Sequence, residues 1–261
     1  MFLSNEINFD QNINCFYLLY DEKKLVSFLS LFIPMRNEAE ISAYTLPEFR
    51  NKGYFHLLFQ KAIAELQKYD IIKVLFVHEP SSESAKPVLH SLGAKDAYSE
   101  YLLVYHPDTA QKADHRLRLE LAKQSDLPEM AALDCSVFDD SYDEALSILS
   151  KSLGSPKTKV YCAFLKDKVI GSCTANMEGS NVCIFGLGIS PEYQNKGYGR
   201  EMLNLLLGQL TQHKSGEISL EVSSTNAAAY HLYITSGFHP KTQYDYAVKH
   251  IINHEAESHS I

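Results

Sequence analysis

"ISPEYQNKGYGREMLNLLL" runs from Ile189 to Leu207, and an earlier stretch, "TLPEFRNKGYFHLLFQKAI", runs from Thr45 to Ile63. Each has a proline and a glutamate, an aromatic, Gln or Arg, then Asn-Lys-Gly-Tyr and an apolar run of helical spacing. They are offset by 144 residues, from Pro47 to Pro191 and from Gly53 to Gly197. The same offset carries Leu25-Val26 onto Val169-Ile170, Gly93 onto Gly237 and Val104 onto Val248 without a gap. A period this long is domain-sized, so residues 17–104 and 161–248 read as one architecture used twice.

The resulting division is a first domain over 1–108, a second over 115–250 and a tail over 251–261, with a polar junction near His106–His115. Each copy reads strand, turn, strand, strand, helix, strand, helix, strand. In the second, "KVYCAFLKDKVIGSCTANM" predicts a hairpin turning near Lys166–Lys168, and "NVCIFGLGIS" a third strand. Gly186 and Gly188 in that strand predict a bulge or a close backbone approach. "REMLNLLLGQLTQH" is helical by period, "EISLEVS" is a strand, and "NAAAYHLYITSGF" is a short helix with Asn226 as N-cap and Gly237 as its stop. The second copy is preceded by a strand "RLRLELA" and helices over 126–137 and 142–153; only sixteen residues precede Tyr17. The first copy is truncated where the second is complete.

The chain has 261 residues, 45% hydrophobic and 21% charged, enough for a packed core. A net charge of −8 argues against a nucleic-acid surface and suits a cationic small substrate. Met1–Gln11 has no basic region followed by an apolar run, so neither a secretory signal nor a membrane partner is expected. Cys162, Cys173 and Cys183 lie in apolar strand-like runs and read as reduced core thiols, which fits the cytoplasm. His250, His254 and Glu255 fall short of a metal site, and no metal is expected.

A strand followed by Gln194-Asn195-Lys196-Gly197-Tyr198-Gly199-Arg200 and a helix sets a run of backbone N–H groups at a helix start, where a pyrophosphate is stabilised. Gly197 and Gly199 let a phosphate approach the backbone closely. Lys196 and Arg200 either add charge to that site or are solvated cations, and Tyr198 reads first as helix-start packing.

With Ile189-Ser190-Pro191 ahead of Gln194-x-x-Gly197-x-Gly199, and "NAAAYHLYITSGF" one strand later, the sequence resembles the GCN5-related N-acetyltransferases, and does so in both copies. The resemblance implies an α/β (α+β) fold of two tandem domains, each a mixed, splayed sheet flanked by helices, with acetyl-CoA between the two central strands. It implies that the backbone of Leu187, Gly188 and Ile189 holds the pantetheine arm and the acetyl carbonyl. The amides from Gln194 to Arg200 then hold the pyrophosphate, and Asn226 supports cofactor and water.

Acetyl transfer to an amine requires deprotonation of that amine, stabilisation of the oxyanion and protonation of the departing thiolate. An α-amine titrates near roughly 8 and a lysine near about 10.4, so either arrives charged at neutral pH. Family members that acetylate protein N-termini, the ribosomal-protein alanine acetyltransferases among them, carry "L-E-V-x-x-x-N-x-x-A-x-x-L-Y", with the glutamate as base and the tyrosine as acid. "LEVSSTNAAAYHLY" matches, which assigns Glu221 as base and Tyr233 as acid. Read without the resemblance, Glu221 is an exposed strand residue, Tyr233 a core residue and Asn226 a cap.

At the same offset Glu221 becomes Val77, Tyr233 becomes Leu89, Asn226 becomes Ser82 and Gly199 becomes Phe55. The first copy keeps Arg50 and Gly53 but lacks base, acid and two leading helices, so it is expected to be catalytically silent. It is then a support, part of the acceptor wall or a vestigial CoA site. From Gln124 to Ser150 there are seven acids and no Lys or Arg; they either steer a cationic amine or start helices. Tyr142, Tyr244 and Tyr246 are either pocket walls or core. The expected activity is N-acetylation of a small-molecule or peptide amine, with a polyamine or aminoglycoside-like acceptor, or a non-catalytic acyl-CoA sensor, as alternatives. A homodimer is left open.

Overall fold

The computed structural model describes residues 5, 8–106, 116–138, 140–213 and 216–251. The expected junction beyond His106, Asp139 and the tail beyond Ile251 lie outside these residues. In chain order the first repeat gives β1 (Phe16–Asp21), β2 (Lys24–Phe32), β3 (Glu38–Thr45), α1 (Tyr54–Gln67), β4 (Lys73–His78), α2 (Ala85–Leu92) and β5 (Lys95–Tyr105). Then follow β6 (Leu117–Leu121), α3 (Leu127–Phe138) and α4 (Tyr142–Gly154). The second repeat gives β7 (Thr158–Leu165), β8 (Lys168–Glu178), β9 (Asn181–Ile189), α5 (Tyr198–His213), β10 (Ile218–Ser223), α6 (Ala227–Ile234) and β11 (Phe238–His250).

The repeat extends to backbone torsions. The β1–β2 and β7–β8 turns carry Glu22 at φ 54° and Lys166 at φ 56°. Asn51 and Asn195 both sit at φ 59°, and Gly53 and Gly197 at φ 80° and 85°. These are left-handed positions, which asparagine and glycine adopt at least cost. Both helices after the Asn-Lys-Gly turn begin at the following tyrosine.

The chain packs as two compact units, and these do not follow the order of the repeats. One comprises Met1–Tyr98 with Tyr244–Ile261, the other Ser99–Gln243. In the first, the sheet order is β1-β2-β3-β4-β11, with Asp245–His250 of β11 antiparallel to β4. In the second it is β5-β10-β9-β8-β7-β6, with Glu100–Val104 of β5 antiparallel to β10. The last strand of each repeat thus completes the sheet that otherwise belongs to the other repeat.

In the second unit α5 covers one sheet face with Met202, Leu203, Leu206, Leu207 and Leu210, an i, i+4 stripe buried against Cys173, Ile184, Leu220 and Val222. Helices α3 and α4 cover the opposite face, packing Met130, Ala131 and Leu149 on Val160, Cys162 and Val169. In the first unit α1 covers one face, with Leu58, Ala62 and Leu66 against Leu29, Leu31 and Ile41. Residues 8–15 form no helix. Cys162 and Cys173 are fully buried free thiols; Cys183 is half-buried.

Candidate functional site

The site begins where two parallel strands part. β9 and β10 pair through Val182–Ile218, Cys183–Ser219 and Ile184–Leu220, and no further. Beyond that point β9 runs on to Ile189 and β10 to Ser223 without each other, opening a cleft in the sheet.

A bulge bends β9 away. Ser172 faces Gly188 and Thr174 faces Phe185, so Gly186 and Leu187 together oppose Cys173. Gly186 takes φ 59°, the left-handed geometry that such a bulge requires. The first unit has no counterpart: Phe28, Leu29 and Ser30 pair with Tyr44, Ala43 and Ser42 in unbroken register. Gly188 meets the other sequence expectation. A β-carbon there would lie 2.9 Å from Val137 Cγ1 and 3.0 Å from Phe138 Cζ, so the end of α3 rests directly on the β9 backbone.

The turn after β9 is tied into the fold. The Gln194 amide donates to the Ile189 carbonyl at 2.9 Å, and Lys196 Nζ to the Glu192 carbonyl at 2.6 Å. The first α5 bond runs from Glu201 N to Gly197 O at 3.1 Å, which leaves the N–H groups of Tyr198, Gly199 and Arg200 without an acceptor one turn back. This cradle fits a diphosphate. Arg200 Nη2 donates to Thr235 Oγ1 at 2.8 Å, joining α5 to the end of α6. Gly199 is not required by torsion; a β-carbon there would make ordinary contact with Leu232 at 3.5 Å. In the first unit Phe55 turns to the core and stacks on Phe59 at 5.8 Å, leaving the turn's torsions unchanged.

Arg116, which sequence reading passed over, braces the cradle. Its Nε donates to Glu201 Oε2 at 2.9 Å and its Nη1 to the Lys196 carbonyl at 3.1 Å. Its guanidinium lies 4.6 Å from the Tyr198 ring centroid, which fits the packing reading of Tyr198. Nothing in the local pattern marks a residue 85 positions before its partner.

Glu221 is the first β10 residue past the last β9 pair. Leu220 and Val222 face the α5 cluster, so Glu221 faces the α3–α4 side. Its carboxyl is reached by solvent, yet surrounding protein displaces enough water to raise its pKa. Tyr233 on α6 is buried in the α5 cluster, 5.9 Å from the Phe238 ring, and burial pushes its hydroxyl up to about 12. Asn226 caps α6, its Oδ1 accepting from Ala229 N at 3.0 Å.

The acids between Gln124 and Ser150 mostly serve their own fold. Asp126 accepts from Lys123 N, and Glu144 forms a capping box with Ser141. Glu129 accepts from Val169 N at 3.3 Å. Asp134 is buried and accepts from Ser172 Oγ at 2.6 Å; burial raises its carboxyl to about 6. Tyr246, read as either pocket wall or core, is buried in the first unit and stacked on Tyr98 at 4.5 Å. Tyr142 is exposed at the start of α4.

Comparison with known proteins follows the same lines. A 59-residue segment is 37% identical to the [ribosomal protein bS18]-alanine N-acetyltransferase of Escherichia coli K12. That match takes in 23% of this chain and spans 40% of the relative's length. A GCN5-related N-acetyltransferase from Sphaerobacter thermophilus superposes with a TM-score of 0.76 at 16% identity, over 93% of this chain and 84% of that one. A tandem GNAT protein from the clavulanic acid biosynthesis pathway gives 0.69 at 12% identity, over 90% and 82%. These likenesses establish the fold. The profile of the acetyltransferase (GNAT) family matches residues 2–94 and again 125–238, most of the chain, and the protein belongs to that family with its domain present twice.

Proposed function

We propose that the second repeat transfers an acetyl group from acetyl-CoA directly to a primary amine. The observation that carries this reading is the disposition of Glu221 and Tyr233 about the point where β9 and β10 part. The bulge and the α5 cradle stand at the end of the same β9 strand.

In this reading the N–H groups of Tyr198, Gly199 and Arg200 hold the diphosphate, and the bulged backbone of Leu187–Ile189 holds the pantetheine arm and carbonyl. Acetyl-CoA supplies an acyl group on a good leaving group. Glu221 takes the proton of the incoming ammonium, directly or through water. Its raised pKa moves it towards the range in which a base works best at neutral pH. Tyr233 stays protonated at neutral pH and donates to the departing sulfur. The first repeat keeps the helix-start turn but lacks the base, the acid and the bulge, since Val77 and Leu89 stand in place of Glu221 and Tyr233 and β3 is unbulged.

The acceptor we favour is a peptide α-amine. The Glu–Tyr pattern and the 37% segment identity to an alanine N-acetyltransferase both support it. The experiment is acetylation of an amine panel holding an alanine-initiated peptide, a polyamine and an aminoglycoside. Selective turnover of the peptide is expected. Preference for either other amine would move the acceptor class, and CoA binding without turnover of any would replace the enzyme with a sensor.

A further inference from the structure

In the second unit the outward residues of β7 and the start of β8, Val160, Cys162 and Val169, lie buried beneath α3 and α4. Their counterparts 144 residues earlier are Phe16, Leu18 and Leu25, and no helix precedes β1 among the described residues. Phe16 is 43% exposed, Leu18 50% and Leu25 42%, and Tyr20 and Tyr44 beside them 56% and 53%. Strand register sets them on one face: Leu18 pairs with Phe28, Tyr20 with Leu25, and Phe28 with Tyr44. The other face is the one α1 covers.

The covering element cannot be a helix seated as α3 is. Where the second unit has Gly188 and Ser172 beneath α3, this face has Tyr44 and Phe28. A single β-carbon on Gly188 would already collide with Val137 and Phe138. Rings at these positions build the face outward and suit another sheet, which packs at about 10 Å.

The exposed fractions amount to between two and three whole side chains, roughly 400–500 Å² per copy at about 150–250 Å² for an aromatic. Two such faces together bury about 1,000 Å², the lower bound for a specific dimer. The charged turn nearest these residues, Asp21-Glu22-Lys23-Lys24, has two acids and two bases, and at the far end of the same β3 face Glu38 pairs with Lys73 while Glu40 lies four residues from Tyr44, outside the exposed cluster. A neutral apolar patch can meet its own two-fold copy.

We infer that the face of β1–β3 opposite α1 is the interface of a homodimer, in which Phe16, Leu18, Tyr20 and Tyr44 of one copy pack on the same residues of another. This rests on the first unit alone and does not depend on the chemistry assigned to the second.

Sedimentation of the full chain from about 1 to about 200 µM tests it. A monomer–dimer equilibrium within that range is expected, with Leu18→Glu weakening it about tenfold or more by burying a charge. Tyr44→Ser, which removes a ring without adding charge, gives the same reading if Leu18→Glu does not fold. A monomer throughout the range overturns the inference, and so does a dimer that either folded variant leaves intact.

Discussion

Glu221 and Tyr233 stand on opposite faces of one sheet, the carboxylate on the side of α3 and α4 and the phenol within the cluster beneath α5. A carboxylate and a phenol so separated can reach one reaction only through an opening, and the sheet has one where β9 and β10 part. Glu221→Gln is therefore expected to lower kcat by roughly 10²–10⁴-fold and to remove the acidic limb of the pH–rate profile. Tyr233→Phe should lower kcat with little change in the KM for amine. A pH profile unmoved by Glu221→Gln would place the base elsewhere.

Gly197 and Gly53 hold the same left-handed torsion, so valine at either is expected to cost about 1–3 kcal/mol of stability. Calorimetry with acetyl-CoA should separate the two: binding is lost in Gly197→Val and unchanged in Gly53→Val. Gly199→Ala, with an ordinary contact to Leu232, should melt no lower than the parent protein.

Two glycines of the β8–β9 ladder should differ in tolerance. At Gly171 a β-carbon would meet the Gly188 carbonyl oxygen at 2.9 Å as well as Ile189 and Met202 side chains. At Gly188 its neighbours are side chains only. Gly171→Ala is expected to cost about 2–3 kcal/mol in chemical denaturation and Gly188→Ala less, with a raised KM for amine as α3 is pushed outward.

Asp134 makes stability depend on pH. Its carboxyl rises from 3.8 to about 6 because burial disfavours the charged form, an effect larger than the opposing Ser172 hydrogen bond. The folded state therefore holds the proton more tightly than the unfolded chain. This contribution is fully present below about pH 4 and is lost as the pH rises through 6, roughly 3 kcal/mol in all. Asp134→Asn keeps an acceptor for Ser172 Oγ. It should raise Tm at pH 7–8 and flatten the change between pH 4 and 6 in a melting series.

Much of this was legible because it is local. Periodicity found α5, the repeated Asn-Lys-Gly found the repeat, and Gly186 and Gly188 pointed to a bulge or a close approach, of which both are present. What stayed hidden depends on pairing between distant residues. Ser172 meets Asp134 across 38 positions, and Arg116 meets Glu201 across 85. The exchange of β5 and β11 left no trace for a related reason. "LLVY" and "YAVK" occupy equivalent places in the two repeats and are equally fit for either sheet, so local composition gives no reason to choose the exchanged partner. Of the two readings of Tyr246, core is the one found, but in the sheet of the other repeat, opposite Val77 of β4.

The exchange also sets a timetable for synthesis. β4 is complete at His78, but its native outer neighbour begins at Tyr244. At about 5–20 residues per second the ribosome needs on the order of 10–30 s to deliver it. Throughout that interval β5, the neighbouring strand in the chain and the counterpart of β11, is free to occupy the vacant edge. A first repeat that closed on its own strand would have to release it before β11 could pair with β4. Refolding of the full chain should show a slow phase that corresponds to this release, and a chain cut between the repeats should be trapped before it.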